Sequence, residues 1–190
     1  IKERRDFSVG IFDALGRLVA QGEHIPIHLG SLMGSVEAVV KRYSNRGIHE
    51  GDAFVCNDTF VAGGTHLPDI AVVTPVFFEG QLIAFVANIG HHSDVGGAYP
   101  GSTSAKAKSI FEEGLRLPVM KIQRQGEIDE DILDLVALNS RVSEERRLDL
   151  AARGMKADFQ VLRALDFGRC RLSLAIPEGE AWEGPKSLQG

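Results

Sequence analysis

Two apolar, β-prone segments separated by two residues constrain this chain more than any other feature. The segments are DIAVVTPVFF and QLIAFVANIG, and Glu79 and Gly80 join them. Runs of this kind on either side of a two-residue turn that contains glycine are typical of a β-hairpin. The chain is therefore expected to be built around an antiparallel sheet.

The turn also predicts which residues of the hairpin face each other. If Phe78 pairs with Gln81, Asp69 lies opposite Gly90. The motif THLPD, which ends at Asp69, and the motif HHSD, which follows Gly90, then meet at the open end of the hairpin. Because neighbouring strands lie about 4.8 Å apart, these motifs should come within a few ångströms of each other.

The polar residues of the two motifs are candidates for a metal site. A lone His–Asp pair in a loop is more often a hydrogen-bonded turn than a set of metal ligands, but the hairpin brings two such groups together. Imidazoles and carboxylates in combination suit Zn, Mn or Fe, and these ligands do not choose among the three metals. The candidates are His66, Asp69, His91, His92 and Asp94, with Asp58 just upstream.

The rest of the pattern predicts an α+β protein: a hairpin-rich sheet core with a metal site at a hairpin end, followed by C-terminal helices. Residues 1–170 are expected to form one domain, and residues 171–190 a Pro/Gly-rich tail. Apolar periodicity, turn residues and helix-capping signals locate the remaining elements. They are a first hairpin at 6–14 and 18–22, a helix at 34–46 capped by Ser31 or Ser35, a buried strand at 52–57 and helices at 104–116, 127–141 and 143–165.

Two further histidines precede the first predicted helix. His24 and His28 are four residues apart in HIPIHLG, but Pro26 lies between them. Proline interrupts a helix, so the two are not expected to share a helical face. They are interpreted as loop or core histidines, with metal binding as the weaker alternative.

Composition excludes several classes of function. A net charge of −5 with dispersed Lys and Arg argues against nucleic acid, and no apolar run is long enough to span a membrane. The only two cysteines, Cys56 and Cys170, show no metal-binding or disulfide spacing. A reducing, cytoplasmic location is therefore expected.

Longer motifs resemble the hydantoinase B/oxoprolinase family. They are ERRDFSVGIFDALGRLVAQGEHIPIHLGS, GDAFVCNDTFVAGGTHLPDIAVVTPVFFEGQLIAFVANIGHHSDVGGAYPGS, EEGLRLP and NSR. The resemblance runs from about residue 3 to about residue 155 and covers the N-terminal half of the family's pattern. Related members include subunits of acetone and acetophenone carboxylases.

The resemblance implies a divalent metal ion in this chain and a partner subunit that binds ATP. His66, Asp69 and His91 match the family's ligand motifs, Asp58 is a further candidate ligand, and Asp94 and His92 are candidates for proton transfer. The family's B-type subunits work with a hydantoinase A-type partner, and ATP would bind only to that partner. The expected function is hydrolysis of a ring amide, as in hydantoin or 5-oxoproline, within a hetero-oligomer.

The chain departs from the family pattern at several points, which leaves alternatives open. Ser143 stands where the family has proline, Leu148 stands where it has glycine, and the second half of the pattern is missing. The chain is therefore expected to be a fragment, a split subunit or a shortened paralogue. A subunit of an ATP-dependent ketone carboxylase and a non-catalytic scaffold are the two alternative functions.

Overall fold

A computed structural model describes residues 6–22 and 25–142. Seven strands form one antiparallel sheet in the order β2-β1-β5-β4-β3-β6-β7. In chain order the elements are β1 Phe7–Asp13, β2 Leu18–Gln21, α1 Pro26–Tyr43, β3 Ala53–Cys56, α2 Thr59–Ala62, β4 Asp69–Phe78, β5 Gln81–His91, α3 Ile110–Glu113, β6 Met120–Arg124, β7 Glu127–Ile128 and α4 Glu130–Asn139. The sheet-based mixed α/β architecture is the one expected.

Both predicted hairpins and the predicted buried strand are present. Strands β4 and β5 pair from Phe78 and Gln81 outward. Strand β1 pairs with β5 along one edge and with β2 along the other. Glu79 and Gly80 both have positive φ, at 49° and 76°, which is the backbone of a primed two-residue turn. Glycine adopts this conformation without strain, so the sequence fixes the turn at this point.

The predicted register of the central hairpin is wrong by one residue at its open end. Phe77 pairs with Leu82, but Val76 pairs with Ala84, so Ile83 is an extra residue in β5. Such a β-bulge shifts every later pair. Asp69 consequently lies opposite His91 and not opposite Gly90.

Each face of the sheet carries its own apolar core. Successive strand residues point to opposite faces, so β4 sends Ala71 and Val73 to one side and Ile70 and Val72 to the other. Helix α1 covers the first side, and α4 covers the second. The buried helical residues are Leu32, Val36 and Val39 on α1 and Ile132, Leu133 and Val136 on α4.

Helix α1 begins earlier than predicted. It starts at Pro26, after extended Ile25, and neither Ser31 nor Ser35 caps it. Proline suits the first helical position, because its φ is already helical and its missing N–H would have no partner there. His28 therefore lies in the first turn of a helix and is buried, so the loop interpretation is wrong and the core interpretation is confirmed.

The C-terminal half differs from the prediction in three elements. The helix expected at 104–116 is limited to α3. The Glu112 carbonyl accepts from Ala98 N–H, and Leu115 N–H donates to the Val95 carbonyl, so the backbone at and after the end of α3 bonds to the 95–98 segment and does not continue the helix. The helix expected from 127 starts at Glu130 after strand β7, and strand β6 was not predicted. The helix expected at 143–165 and the tail lie outside the described residues.

No helix within the described ranges combines the length and apolarity that a membrane crossing requires.

We expect Gly34→Ala to destabilise the fold by about 1–3 kcal/mol, as overpacking commonly does. A Cβ at Gly34 would lie 2.3 Å from the carbonyl oxygen of Ala62, so α1 and α2 would have to separate. Gly30→Ala in the same helix is the matched control, since a Cβ there meets nothing within 4 Å. It should stabilise α1 by about 0.5–1 kcal/mol. Urea unfolding of both variants measures the difference, and equal effects would contradict the close approach.

Candidate metal centre

The open end of the central hairpin holds the candidate site. Asp69 and His91 are directly opposed in the first pair of the β4–β5 ladder. Opposed residues project on the same face, and Asp69 Oδ1 lies 3.0 Å from His91 Nδ1. The bulge at Ile83 makes this contact possible, since it brings His91 onto the face of Asp69.

His66 joins the pair from the loop that precedes β4. Its Nε2 lies 3.1 Å from Asp69 Oδ1, and its ring stacks on His91 with centroids 5.1 Å apart. One donor atom from each of the three residues lies within 4.8 Å of the other two. The structure therefore brings together the three residues that carry the strongest metal prediction. Metal binding itself stays a prediction.

Two residues that were not assigned to the site from the sequence lie against it. His28 Nε2 is 3.4 Å from Asp69 Oδ2, and half-buried Asp6 lies 3.7 Å from His28 Nε2 and 3.9 Å from His91 Nδ1. A signal for His28 was present: Pro26 marks a helix start, and His28, Leu32 and Val36 follow at intervals of four on the buried side of α1. Asp6 had no comparable signal.

The loop that carries His66 is fixed by buried polar contacts. The side-chain amide of Asn57 donates to the carbonyls of Leu67 and Leu115, at 2.7 and 2.9 Å, and its oxygen accepts from Leu117 N–H at 2.6 Å. Glu113 accepts from Leu67 N–H at 3.2 Å. Backbone groups beside the site are thus satisfied, which limits how far His66 can move.

Asp58 lies outside this group of three. One carboxylate oxygen caps α2 by accepting from Phe60 and Val61 N–H, and the other accepts from Arg116 at 2.7 Å. These contacts explain the position of Asp58 as a helix cap and ion-pair partner. The structure does not bring it to Asp69, and its predicted ligand role gains no geometric support.

Asp94 organises a glycine-rich loop. It accepts from the backbone N–H groups of Gly96, Gly101 and Arg141, each at 3.0 Å, and from the Arg141 guanidinium at 2.9 Å. Burial alone would raise the pKa of Asp94, but these donors hold it below its usual value. A carboxylate with a lowered pKa is a poor general base. Its predicted part in proton transfer stays a prediction.

His92 is fully buried beside the site. Its backbone N–H donates to the Pro68 carbonyl at 2.8 Å. His92 follows the last residue of β5, and alternation of side chains in an extended segment predicts that it points away from the face that carries His91. Its predicted catalytic role also stays a prediction.

The three imidazoles around Asp69 determine its charge. Burial would raise the pKa of this carboxyl, but the contacts with His28, His66 and His91 outweigh burial and hold the pKa far below its usual value. The hydrogen bond to Asp69 in turn raises the pKa of His66, although burial opposes the shift. Asp69 is therefore held in its ionised form.

The structure defines the class of protein: it is a mixed α/β protein built on an antiparallel sheet. Two histidines and one aspartate converge at the end of the central hairpin and form a candidate centre for a divalent cation. Comparison with known sequences assigns the family. The sequence model of the hydantoinase B/oxoprolinase family matches residues 1–162, and the chain belongs to that family.

Individual relatives are similar over most of this chain. The 5-oxoprolinase 1 of Arabidopsis thaliana is 45% identical over 69% of this chain and 10% of its own length. Caprolactamase subunit beta of Pseudomonas jessenii is 37% identical over 77% of this chain and 25% of its own length. The chain thus spans between a tenth and a quarter of the length of these two relatives.

Solved structures share the fold. ATP-dependent caprolactamase from Pseudomonas jessenii aligns with a TM-score of 0.69 at 32% identity, over 85% of this chain and 28% of that chain. Nucleotide-free acetone carboxylase aligns with a TM-score of 0.70 at 26% identity, over 79% of this chain and 20% of that chain. The family therefore includes ATP-dependent enzymes that act on amides and on a ketone.

We expect His66→Gln to destabilise the metal-free chain more at about pH 5.5 than at about pH 9. A pKa that is raised in the folded state means that protonated His66 stabilises the fold. That contribution is complete below the pKa of His66 in the unfolded state, about 6.5, and it is lost as the pH rises through the higher pKa of the folded state. Urea unfolding in the presence of a chelator, at several pH values, measures the difference between wild type and variant.

The control places the same substitution in an Asp69→Asn background. His66 then lacks its ionised partner, so His66→Gln should have a similar, small effect at all pH values. A pH dependence that persists unchanged in this background would contradict the assigned His66–Asp69 interaction.

Proposed function

We propose that this chain is the metal-holding part of an ATP-coupled enzyme that hydrolyses cyclic amides. The convergence of His66, Asp69 and His91 supports the proposal most directly, because it occurs in a chain that shares 45% identity with a 5-oxoprolinase. Two imidazoles and one carboxylate form a common catalytic donor set that leaves coordination positions open for water and substrate.

The donor set fits a divalent cation such as Zn, Mn or Fe. Metal–ligand distances in such sites are about 2.0–2.2 Å, and donor atoms within 4.8 Å of one another need only small side-chain movements to reach a shared ion. When bound, the cation would act as a Lewis acid that polarises the substrate carbonyl. Asp6 adds a second carboxylate near His91, which increases the attraction for a cation.

Cyclic amides suit coupling to ATP. Resonance makes the ring amide a poor electrophile, so phosphoryl transfer from ATP offers a way to activate its carbonyl. The solved caprolactamase is described as ATP-dependent. The caprolactamase sequence that is similar to this chain is that of subunit beta. We propose that ATP binds to a hydantoinase A-type partner, while this chain positions the amide.

A ketone carboxylase is the second candidate, and the fold shared with acetone carboxylase favours it. Sequence identity ranks it lower, at 26% for acetone carboxylase against 32% for caprolactamase in the two structural alignments. The two functions differ in product: a hydrolase opens a ring amide, whereas a carboxylase consumes bicarbonate and forms a carbon–carbon bond.

We expect His91→Ala to lose most of its metal and His92→Ala to retain it. Only His91 lies on the face of Asp69, with its Nδ1 3.0 Å from the carboxylate. Removal of a neighbouring group that does not bind the ion typically costs no more than about 10–100-fold in affinity. Elemental analysis of the folded variants after dialysis against Zn or Mn measures the retained metal. If His92→Ala alone loses the metal, the ligand assignment is wrong.

Turnover should require the rest of the enzyme. The chain covers only 10–25% of its enzymatic relatives, so we expect the purified chain with metal and ATP to leave hydantoin, 5-oxoproline and caprolactam unchanged. Addition of the remaining subunits should give amide-dependent phosphate release that falls sharply with Asp69→Asn. Phosphate release that requires acetone and bicarbonate would favour the carboxylase, and release unaffected by Asp69→Asn would favour a non-catalytic scaffold.

A further inference from the structure

A line of buried polar groups runs from strand β1 through helix α1 to the candidate metal centre. Ser8 Oγ lies 3.0 Å from His28 Nδ1, and His28 Nε2 lies 3.4 Å from Asp69 Oδ2. Ser8 and His28 are 4% and 3% exposed, so water hardly competes for these contacts. In such surroundings an unmade hydrogen bond is costly, which favours a fixed arrangement.

The chemistry of the groups determines where the protons lie. An ionised carboxylate only accepts hydrogen bonds, so the His28 nitrogen that faces Asp69 must carry the proton. In a neutral imidazole the other nitrogen is then an acceptor, and the Ser8 hydroxyl donates to it. With a neutral His28, the hydrogen bonds run from Ser8 to His28 and from His28 to Asp69.

The two oxygens of Asp69 have different partners. Oδ2 faces His28 and accepts from Thr65 Oγ1 at 3.0 Å, whereas Oδ1 faces His66 and His91, at 3.1 and 3.0 Å. Donors that hold Oδ2 leave Oδ1 directed at the two histidines of the candidate site. His28 is on the side of the carboxylate away from that convergence.

We propose that His28 is a positioning residue, which donates to Asp69 Oδ2 and so presents Oδ1 to a bound divalent cation. The inference rests on the proposed function, because it assumes that His66, Asp69 and His91 hold the cation. Carboxylate ligands in metal sites are commonly oriented by such hydrogen bonds. His28 itself does not bind the ion.

The test compares two variants of similar side-chain size in the full chain. His28→Leu fills the space of the imidazole without a donor, whereas the amide of His28→Gln can donate to Oδ2. Ser35→Ala is the matched control, because Ser35 is also buried on α1 but bonds to the Ser31 carbonyl and not to Asp69. Dissociation constants for Zn are measured by competition with a chelating dye, and the visible spectra of the Co-saturated proteins report coordination geometry.

We expect His28→Leu to weaken Zn binding about 10–100-fold, the usual effect of losing a group that orients a ligand. His28→Gln should recover most of the affinity, and Ser35→Ala should bind Zn as the wild type does. At saturation, the Co spectrum of His28→Leu should match that of the wild type. Ser8→Ala should weaken binding less than His28→Leu, because it removes only the second hydrogen bond.

Three results would overturn the proposal. If His28→Leu binds Zn as tightly as Ser35→Ala, His28 has no positioning role, although the metal site itself would stand. If saturated His28→Leu shows a different Co coordination spectrum, His28 is a ligand. If the wild type binds no divalent ion, the positioning role and the proposed function both fail.

Discussion

The candidate site depends on the contacts between the buried carboxylate of Asp69 and the histidines around it. This carboxylate lies at the first residue of a central strand, where imidazoles from α1, from the preceding loop and from the neighbouring strand all approach it. A buried anion is costly unless charged or polar partners surround it. The fold thus places three imidazole rings around one carboxylate, whose negative charge their contacts stabilise.

The surrounding scaffold explains how such a polar cluster persists within a folded sheet. Two apolar cores, one on each face, hold the strands, while Asn57 and Asp94 tie irregular segments to their neighbours through backbone hydrogen bonds. Each of these side chains bonds to at least two backbone groups. Contacts of this type limit the movement of the residues around the candidate site.

The sequence predicted the parts of the fold that local patterns specify. Apolar runs around Glu79-Gly80 indicated the central hairpin, and the pairing of its strands indicated that THLPD and HHSD meet at its open end. Strand β6 and the turn at Gln125-Gly126 were missed, although this residue pair resembles the Glu79-Gly80 pair that predicted the central hairpin. The structure gives both residues of the missed turn a positive φ, at 50° and 93°. His28 was considered only as a weaker candidate, because Pro26 was interpreted as a break and not as a helix start. The bulge at Ile83 had no local signal, since its neighbours are apolar on both faces.

The bulge has a consequence for the whole segment between the turn and the site. Strand side chains alternate between faces, so the pairing register between β4 and β5 decides which histidine joins Asp69. If the same residues paired without the bulge, Asp69 would lie opposite Gly90, so His92 would face the carboxylate and His91 would point to the opposite face. The pairing register of this segment is therefore chemically decisive: conservative changes of side chain preserve the centre, whereas a shift of the pairing by one residue would exchange its histidines.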